Sequence, residues 1–239
     1  MKIIIHGYLM TALACSTLAA CQSKNAPPAQ PDNQASAQAL PTQSGGPTIR
    51  IAPLSPLPNV TAPIPALTQK TTVHLVTTAG EVVIEVYPQA APHAAQRFIE
   101  LVRSGFYDDT PVSRVVTGFV AQFGVNWRSP HKDWENRPFD DDPSLFSLER
   151  GTLAFAKGGL NTNSTQVFIN YKENNQLAVP RYNFTVFGKV VSGMDVVERF
   201  VQVGDPSGGL DQGRLWADGG VYLASLPVKP TMIETATVE

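Results

Sequence analysis

The sequence predicts a mainly β domain after residue 70, built as a closed antiparallel barrel with two helices over its ends. Short β-branched and apolar runs recur between turn residues, which is typical of strands. Two further stretches carry apolar residues at helical spacing. About 170 residues are available to this domain, which is enough for one core of useful size.

The first predicted elements are a β-hairpin and a helix. Val73–Val76 and Val82–Tyr87 are β-branched runs separated by turn residues at 77–81, which predicts a hairpin. Pro92 suits the first turn of a helix, and Gly105 suits its end. The apolar residues between them recur at helical spacing, at Ala94, Ala95, Phe98, Leu101 and Val102.

Further short apolar runs predict the remaining strands: Val112–Val116, Phe119–Phe123, Thr152–Ala156, Val167–Asn170, Phe184–Val191 and a final Thr231–Val238. A second short helix is predicted over Met194–Val201, because its apolar residues fall on one side. The stretches 127–148 and 203–220 are polar and broken by proline, so we expect both to be long loops.

The amino terminus predicts export. Residues 1–20 have a positive start, an apolar core at Ile3–Leu13 and small residues at the end, as in a secretory signal peptide. Leu18-Ala19-Ala20-Cys21 resembles the lipobox of bacterial lipoproteins, which implies that a lipidated Cys21 begins the mature chain. We then expect a membrane anchor at the cell envelope facing the periplasm, and Gln22 favours the outer membrane. The alternative is a plain cleaved signal in which Cys21 is incidental.

A spacer is predicted over residues 21–70. Half of the 20 prolines of the chain lie between 22 and 69, and aromatic residues are absent there. Such a composition buries too little apolar surface to offset the entropy of ordering, so we expect disorder. The alternative is a proline-rich ligand for another protein.

Composition excludes several classes of function for the domain at 71–239. Both cysteines, Cys15 and Cys21, precede it, so it has no thiol for a nucleophile or a disulfide. The formal net charge is -2 with no basic run, so no nucleic-acid partner is expected. The 4 histidines show no metal-ligand spacing, and we expect no metal, no cofactor and a monomer.

Three blocks in this domain carry the functional information: Phe106–Gln122, Asn161–Asn170 and Phe184–Val197. They resemble the signature segments of the cyclophilins, in the order and at about the spacing of that family. The resemblance runs from about Thr71 to the carboxyl terminus. It implies an eight-stranded antiparallel barrel with two helices and peptidyl-prolyl cis/trans isomerase activity on proline-containing polypeptides.

The chemistry explains the residue types that the resemblance assigns. Rotation about an Xaa-Pro bond breaks amide resonance and faces a barrier of about 18–20 kcal/mol. A donor aimed at the prolyl nitrogen stabilises the twisted transition state more than either planar state. The resemblance implies that Arg114 is this donor and that Gln122 steadies it. The catalytic set is therefore expected to be Arg114, Phe119 and Gln122.

The resemblance also implies a substrate-binding set. An apolar floor for the proline ring is expected from Phe119, Val120, Phe168, Leu177 and Phe184. A groove for the extended substrate is expected from Ala156, Lys157 and Gln166.

The chain departs from the family pattern at several positions. Gln176 stands where many members have tryptophan, which predicts weak inhibition by cyclosporin. Phe184 replaces a frequent histidine but keeps an apolar wall. Phe123 replaces a glycine, so it either repacks the barrel interior or narrows the groove. Besides an active isomerase, two other functions stay open at this stage: a tethered proline-peptide binding module with little turnover, and a structural lipoprotein.

Overall fold

The computed structural model describes residues 54–239. The predicted signal peptide at 1–20, Cys21 and most of the predicted spacer lie outside these residues. The strands are β1 (Thr71–Thr77), β2 (Gly80–Val86), β3 (Thr110–Val116), β4 (Val120–Phe123), β5 (Thr152–Phe155), β6 (Val167–Asn170), β7 (Val186–Ser192) and β8 (Met232–Val238). The helices are α1 (Pro92–Arg103), α2 (Met194–Val197) and α3 (Gln212–Ser225), with 3-10 turns at His131–Asn136 and Asn175–Leu177.

The strands form a closed barrel in the order β1-β2-β7-β5-β6-β4-β3-β8. Every strand pair is antiparallel, and β8 pairs with β1 to close the barrel. The predicted fold class is therefore confirmed. The predicted hairpin is the β1–β2 pair, which runs from Thr71 opposite Val86 to Thr77 opposite Gly80.

Strands β5 and β6 are buried on both faces. Leu153 and Phe155 of β5 belong to the main core, whereas Ala154 between them belongs to a second apolar cluster. Side chains alternate between the two faces of a strand, so this second cluster covers the face opposite the main core. We call it the outer cluster; it comprises Leu54, Tyr87, Ala90, Val120, Phe146, Leu148, Ala154, Phe168, Ala178 and Val186.

A loop carboxylate caps helix α1. Ala91 at the N-cap position has no side chain that could accept a hydrogen bond. The backbone N–H groups of His93 and Ala94 instead donate to the two carboxylate oxygens of Asp142, at 3.2 and 2.9 Å. Arg97 on the same helix stacks on Phe139, with its guanidinium carbon 4.9 Å from the ring centroid. The long segment predicted at 127–148 is thus held against α1.

The prediction of a loop over 203–220 is wrong for residues 212–220, which belong to helix α3. Asp211 caps helix α3 by accepting from the backbone N–H of Arg214 at 2.9 Å. The helix buries Leu215, Trp216, Gly219 and Tyr222. The two glycines at 219 and 220 favour a loop in sequence terms, but the fold requires Gly219 because a Cβ there would lie 2.3 Å from ring carbons of Trp127. The backbone kinks at Asp218 beside this contact.

The end of the predicted spacer contacts the barrel. Leu54 is buried in the outer cluster, and Leu57 and Leu67 pack against it. The backbone N–H of Leu57 donates to the Leu145 carbonyl at 2.8 Å, and that of Ser147 donates to the Ser55 carbonyl at 2.9 Å. These leucines provide apolar surface at the end of the spacer, although proline and small or polar residues dominate the spacer as a whole. Across residues 54–239, no helix has the length and apolar character needed to cross a membrane.

Candidate functional site

An open cavity of about 370 Å³ lies on the side of the barrel that carries the outer cluster. Every residue that the sequence analysis assigns to the prolyl site lines it: Arg114, Phe119, Val120, Gln122, Ala156, Lys157, Gln166, Phe168, Leu177 and Phe184. We call it the first cavity. Gly158, Thr162 and Ser164 complete the lining and were missed. Their position within or just before the block Asn161–Asn170 is the signal that could have found them.

Strand pairing explains why these side chains share one face. Arg114 on β3 lies opposite Gln122 on β4, and Gln122 lies opposite Phe168 on β6. Because alternate residues of a strand face the same way, Val120 projects beside Gln122, and Gln166 projects beside Phe168. The cavity is therefore assembled from neighbouring strands of the sheet.

A chain of side-chain hydrogen bonds crosses the cavity. Arg114 donates through Nη1 to Gln122 Oε1 at 3.2 Å, and Gln122 donates through Nε2 to Gln166 Oε1 at 2.8 Å. Burial lowers the pKa of the Arg114 guanidinium from its ordinary value, but arginine stays charged in proteins. These hydrogen bonds hold the positively charged Arg114 side chain in one orientation at the cavity wall.

A second contact on Arg114 comes from the loop before α3. Arg114 Nε donates to the Ser207 carbonyl at 2.6 Å. Asp205 shapes this loop, because its Oδ1 accepts from the backbone N–H groups of Ser207 and Gly208 at 2.9 and 2.7 Å. Gly209 has φ of 76°, and a Cβ there would lie 2.6 Å from Arg114 Cβ. This support was not predictable from the sequence, because Asp205-Pro206-Ser207-Gly208 indicates only a turn.

Aromatic rings form the floor and wall of the cavity. The rings of Phe168 and Phe184 meet edge to face, with centroids 5.5 Å apart. Phe119 lies 5.8 Å from the guanidinium carbon of Arg114, measured to the ring centroid. The backbone N–H of Phe184 donates to the Leu177 carbonyl at 3.2 Å, so the two wall residues are held together. The Phe119 ring and the positively charged Arg114 side chain therefore lie side by side.

Lys157 is held in the cavity wall by a buried ion pair. Its ammonium lies 2.6 Å from Asp141 Oδ1, and the two side chains are only 2% and 7% exposed. It also donates to the Asn183 carbonyl at 3.0 Å. Burial alone would raise the pKa of Asp141, but hydrogen bonds from Lys157 and Asn163 outweigh it and lower that pKa. Lys157 thus joins two loops rather than presenting a free charge.

A buried amide supports the floor from behind. Asn174 is fully buried, and its Nδ2 donates to the Phe119 carbonyl at 3.2 Å and to Asn170 Oδ1 at 2.8 Å. Asn170 in turn donates to the Thr152 carbonyl at 3.1 Å. This network ties β5 and β6 to the residue before β4 at the edge of the cavity, and Asn170 and Asn174 are not among the site residues predicted from the sequence.

Two of the departures from the family pattern, Phe123 and Gln176, lie away from the first cavity. Phe123 is 1% exposed and packs in the main core, with its ring centroid 5.3 Å from that of Tyr107. It therefore repacks the barrel interior and does not narrow the groove. Gln176 is exposed on the 3-10 turn and does not line the first cavity.

The arrangement suits a ligand that offers an apolar ring next to a hydrogen-bond acceptor. Arginine has five N–H donors in a fixed plane, and the bonds to Gln122 and Ser207 use two of them. The others are available to a bound molecule. Among residues 54–239, no three His, Cys, Asp or Glu side chains are grouped so that they could hold a metal ion.

Comparison with known proteins agrees with this geometry. Residues 72–215 match the family model described as cyclophilin type peptidyl-prolyl cis-trans isomerase/CLD. Peptidyl-prolyl cis-trans isomerase A of Dickeya dadantii is 32% identical over 187 residues, which cover 75% of this chain and 92% of the relative. The chain belongs to the cyclophilin-type peptidyl-prolyl cis-trans isomerase family and has the isomerase activity of that family.

Solved structures show the same fold. A cyclophilin type peptidyl-prolyl cis-trans isomerase of Cryptosporidium parvum superposes with a TM-score of 0.54 at 23% identity, covering 72% of this chain and 98% of the other. The same protein, solved in the presence of the dipeptide ala-pro, superposes with a TM-score of 0.52 at 23% identity, covering 70% and 98%.

Proposed function

We propose that this isomerase acts on exported polypeptides at the cell envelope, held to a membrane through lipid on Cys21. The observation that carries the proposal is the leader that ends in Leu18-Ala19-Ala20-Cys21. Isomerisation of Xaa-Pro bonds takes tens of seconds without a catalyst, so it limits the folding of polypeptides that arrive unfolded after export. An isomerase anchored where they emerge would shorten that step.

In the proposed mechanism Arg114 stabilises the twisted bond. The first cavity takes the proline ring against Phe119 and Phe168, and the guanidinium faces the prolyl nitrogen. As the amide rotates, this nitrogen regains a lone pair that accepts a hydrogen bond from Arg114. Gln122 and Ser207 hold the guanidinium still, so little reorganisation is needed at the moment of rotation. No covalent bond is made or broken.

A proline-containing peptide is the ligand that best fits this geometry. The Cryptosporidium parvum relative was solved in the presence of the dipeptide ala-pro, which supports the same ligand class here. Gln122 and Gln166 both line the first cavity and are joined by a hydrogen bond of 2.8 Å, and we expect their remaining amide groups to bind substrate main-chain groups. Extended polypeptide is therefore the expected substrate.

Lipidation is tested by metabolic labelling with a fatty-acid analogue in a Gram-negative host. We expect the full chain to be labelled and Cys21→Ser to lose the label. Cys15→Ser is the matched control and should keep it, because Cys15 lies within the leader that is removed. A labelled Cys21→Ser protein, or an unlabelled parent chain, would contradict the anchor.

The side of the membrane is tested by protease added to spheroplasts. If the domain faces the periplasm, the full chain is digested while a cytoplasmic marker stays intact. Protection of the domain in intact spheroplasts, followed by digestion after lysis, would place it in the cytoplasm and overturn the envelope function. The isomerase activity itself would stand in either case.

A further inference from the structure

A second cavity of about 750 Å³ adjoins the first one. One side of it is formed by residues 57–60, which precede the family match at 72–215. The other sides come from Leu160 and Asn161 and from the segment 175–183. The segment before the barrel thus contributes a wall that the matched family region lacks.

The two cavities share a thin partition. Lys157 lines the first cavity, and Asp141, 2.6 Å from its ammonium, lines the second. Asn183, whose carbonyl accepts from Lys157 at 3.0 Å, lines the second cavity, and its neighbour Phe184 lines the first. A polypeptide leaving the first cavity over this partition meets the second within a few residues, since an extended chain rises about 3.3 Å per residue.

The rim of the second cavity is apolar and exposed. Leu160 is 53% exposed and Val179 is 43% exposed. Together with Pro180 they line a cavity whose other wall contains Leu57 and Val60. Large apolar side chains grouped around a concavity on the surface mark a binding site more often than a chance feature.

Three polar side chains of the lining are engaged within the protein. Asn161 Oδ1 accepts from the Asp141 backbone N–H at 2.9 Å, and Asn175 Oδ1 accepts from that of Leu148 at 2.8 Å. Ser144 Oγ donates to the Phe184 carbonyl at 2.9 Å. Because these groups already have partners, the second cavity suits an apolar side chain better than a polar or charged one.

The wall at 57–60 is held in place by the same apolar cluster that underlies the first cavity. Leu54 is 5% exposed in the outer cluster, which also contains Val120 and Phe168 of the first cavity. Leu57 is fixed by its backbone bond to the Leu145 carbonyl at 2.8 Å. The second cavity is therefore preformed, and a ligand need not order the segment on binding.

We propose that the second cavity binds an apolar side chain of the polypeptide whose proline occupies the first cavity. This rests on the proposed placement of the prolyl site around Arg114. The occupant is the substrate itself, because the two cavities lie on either side of a single ion pair, Lys157 with Asp141. The consequence is a preference for substrates that carry a large apolar residue a few positions from the proline.

The test compares peptides of two lengths on the full chain. A tetrapeptide with a central Xaa-Pro bond reaches the first cavity alone. Longer peptides keep this core, and each carries one leucine placed two to five positions from the proline on either side. A matched set carries aspartate at the same positions. We expect kcat/KM to be about tenfold higher for the best leucine peptide than for its aspartate partner, through a lower KM.

Val179→Asp and Leu160→Asp should each bring that leucine-to-aspartate ratio close to one. Both residues are exposed at the rim, so folding is not at risk, and circular dichroism verifies it. Val221→Asp is the matched control, since Val221 is 66% exposed on α3 and should keep the ratio. A ratio near one in the parent chain, or a ratio unchanged in both rim variants, overturns the proposal.

Arg114→Ala separates this proposal from the proposed mechanism. If the tetrapeptide is turned over equally well by Arg114→Ala and the parent chain, the catalytic assignment fails, whatever the rim variants do. If Arg114→Ala abolishes turnover but the rim variants keep the ratio, only the second cavity fails. Self-association that Val179→Asp abolishes, with the ratio unchanged, would assign the cavity to a second copy of the chain and likewise overturn the proposal.

Discussion

Arg114 and Ser207 are 93 positions apart in the chain, yet Arg114 Nε donates to the Ser207 carbonyl at 2.6 Å. The carbonyl points at the guanidinium because Asp205 holds the turn around it through two backbone N–H groups. Because the Ser207 carbonyl accepts from Nε of Arg114, the Nη groups of that arginine are available to Gln122 and to a ligand. The loop before α3 is thus part of the apparatus that orients the cation.

Asp205 is predicted to be a positioning residue. Asp205→Ala removes the acceptor that shapes the turn, and we expect kcat to fall about tenfold because the guanidinium loses its fixed direction. KM should change much less, since the apolar floor stays intact. Asp205→Asn keeps an oxygen at the same place and should restore most of kcat. The measurement is a protease-coupled isomerisation assay; equal kcat for the alanine variant and the parent would refute the role.

Arg114 is predicted to carry the transition-state stabilisation. Arg114→Ala should lower kcat/KM by about 10²–10³, the usual effect of removing one such donor, with the melting temperature preserved. Arg150→Ala is the matched control, because that arginine pairs with Glu198 on the surface with its side chain 52% exposed. Two-dimensional NMR exchange on an Xaa-Pro peptide measures both. Near-parental exchange with Arg114→Ala would mean that the cavity catalyses through another group.

The ion pair between Asp141 and Lys157 predicts a pH dependence of stability. The pKa of Asp141 in the folded protein is lowered from its ordinary value of 3.8 by the hydrogen bonds from Lys157 and Asn163, which outweigh burial. A lowered folded-state pKa means that the stabilisation is fully present above about 3.8 and is lost as the pH falls through the folded-state value. Urea midpoints between pH 7 and pH 2, measured against Asp141→Asn, should therefore show a smaller acid loss in the variant than in the parent.

At neutral pH the same variant tests the cost of an unpaired buried cation. Asp141→Asn leaves the Lys157 ammonium without its carboxylate in a place where that side chain is 2% exposed. We expect a loss of about 3 kcal/mol in the free energy of unfolding. Glu198→Gln breaks an exposed pair with Arg150 and should cost less than about 1 kcal/mol. Similar costs for the two variants would show that the buried pair is dispensable.

Gly219 is predicted to be required by packing rather than by backbone conformation. Gly219→Ala would place a Cβ 2.3 Å from ring carbons of Trp127, so either the ring or α3 must move. We expect a loss of about 1–3 kcal/mol, typical of overpacking. Gly220→Ala is the matched control, since its Cβ would meet its nearest neighbour, Trp127 Nε1, at 3.7 Å. Thermal unfolding followed by tryptophan fluorescence measures both; a neutral Gly219→Ala would contradict the close contact.

Local pattern was sufficient for much of the fold. The β-branched runs at β1 and β2 and the helical spacing in α1 are short-range signals, and the structure places these elements where the sequence predicts them. Helix α3 was not predicted from the sequence, and the glycine pair Gly219-Gly220 is itself typical of a loop. What overrides them is the contact with Trp127, about ninety positions earlier in the chain, which no local window includes.

The sequence by itself determined the family, the strands of the barrel and the identity of the side chains around the first cavity. It could do so because strand alternation and the signature blocks are local properties. Arg114 and Gln122, for example, belong to one signature block and lie opposite each other on the paired strands β3 and β4. The leader and Cys21 stay sequence predictions. Only the tertiary structure decided that Ser207 orients Arg114, that Asp141 pairs with Lys157, and that Asp142 caps α1. Each of these contacts joins a loop to a part of the chain that lies outside its local sequence pattern, and its energy depends on burial and direction, which exist only once the barrel has closed.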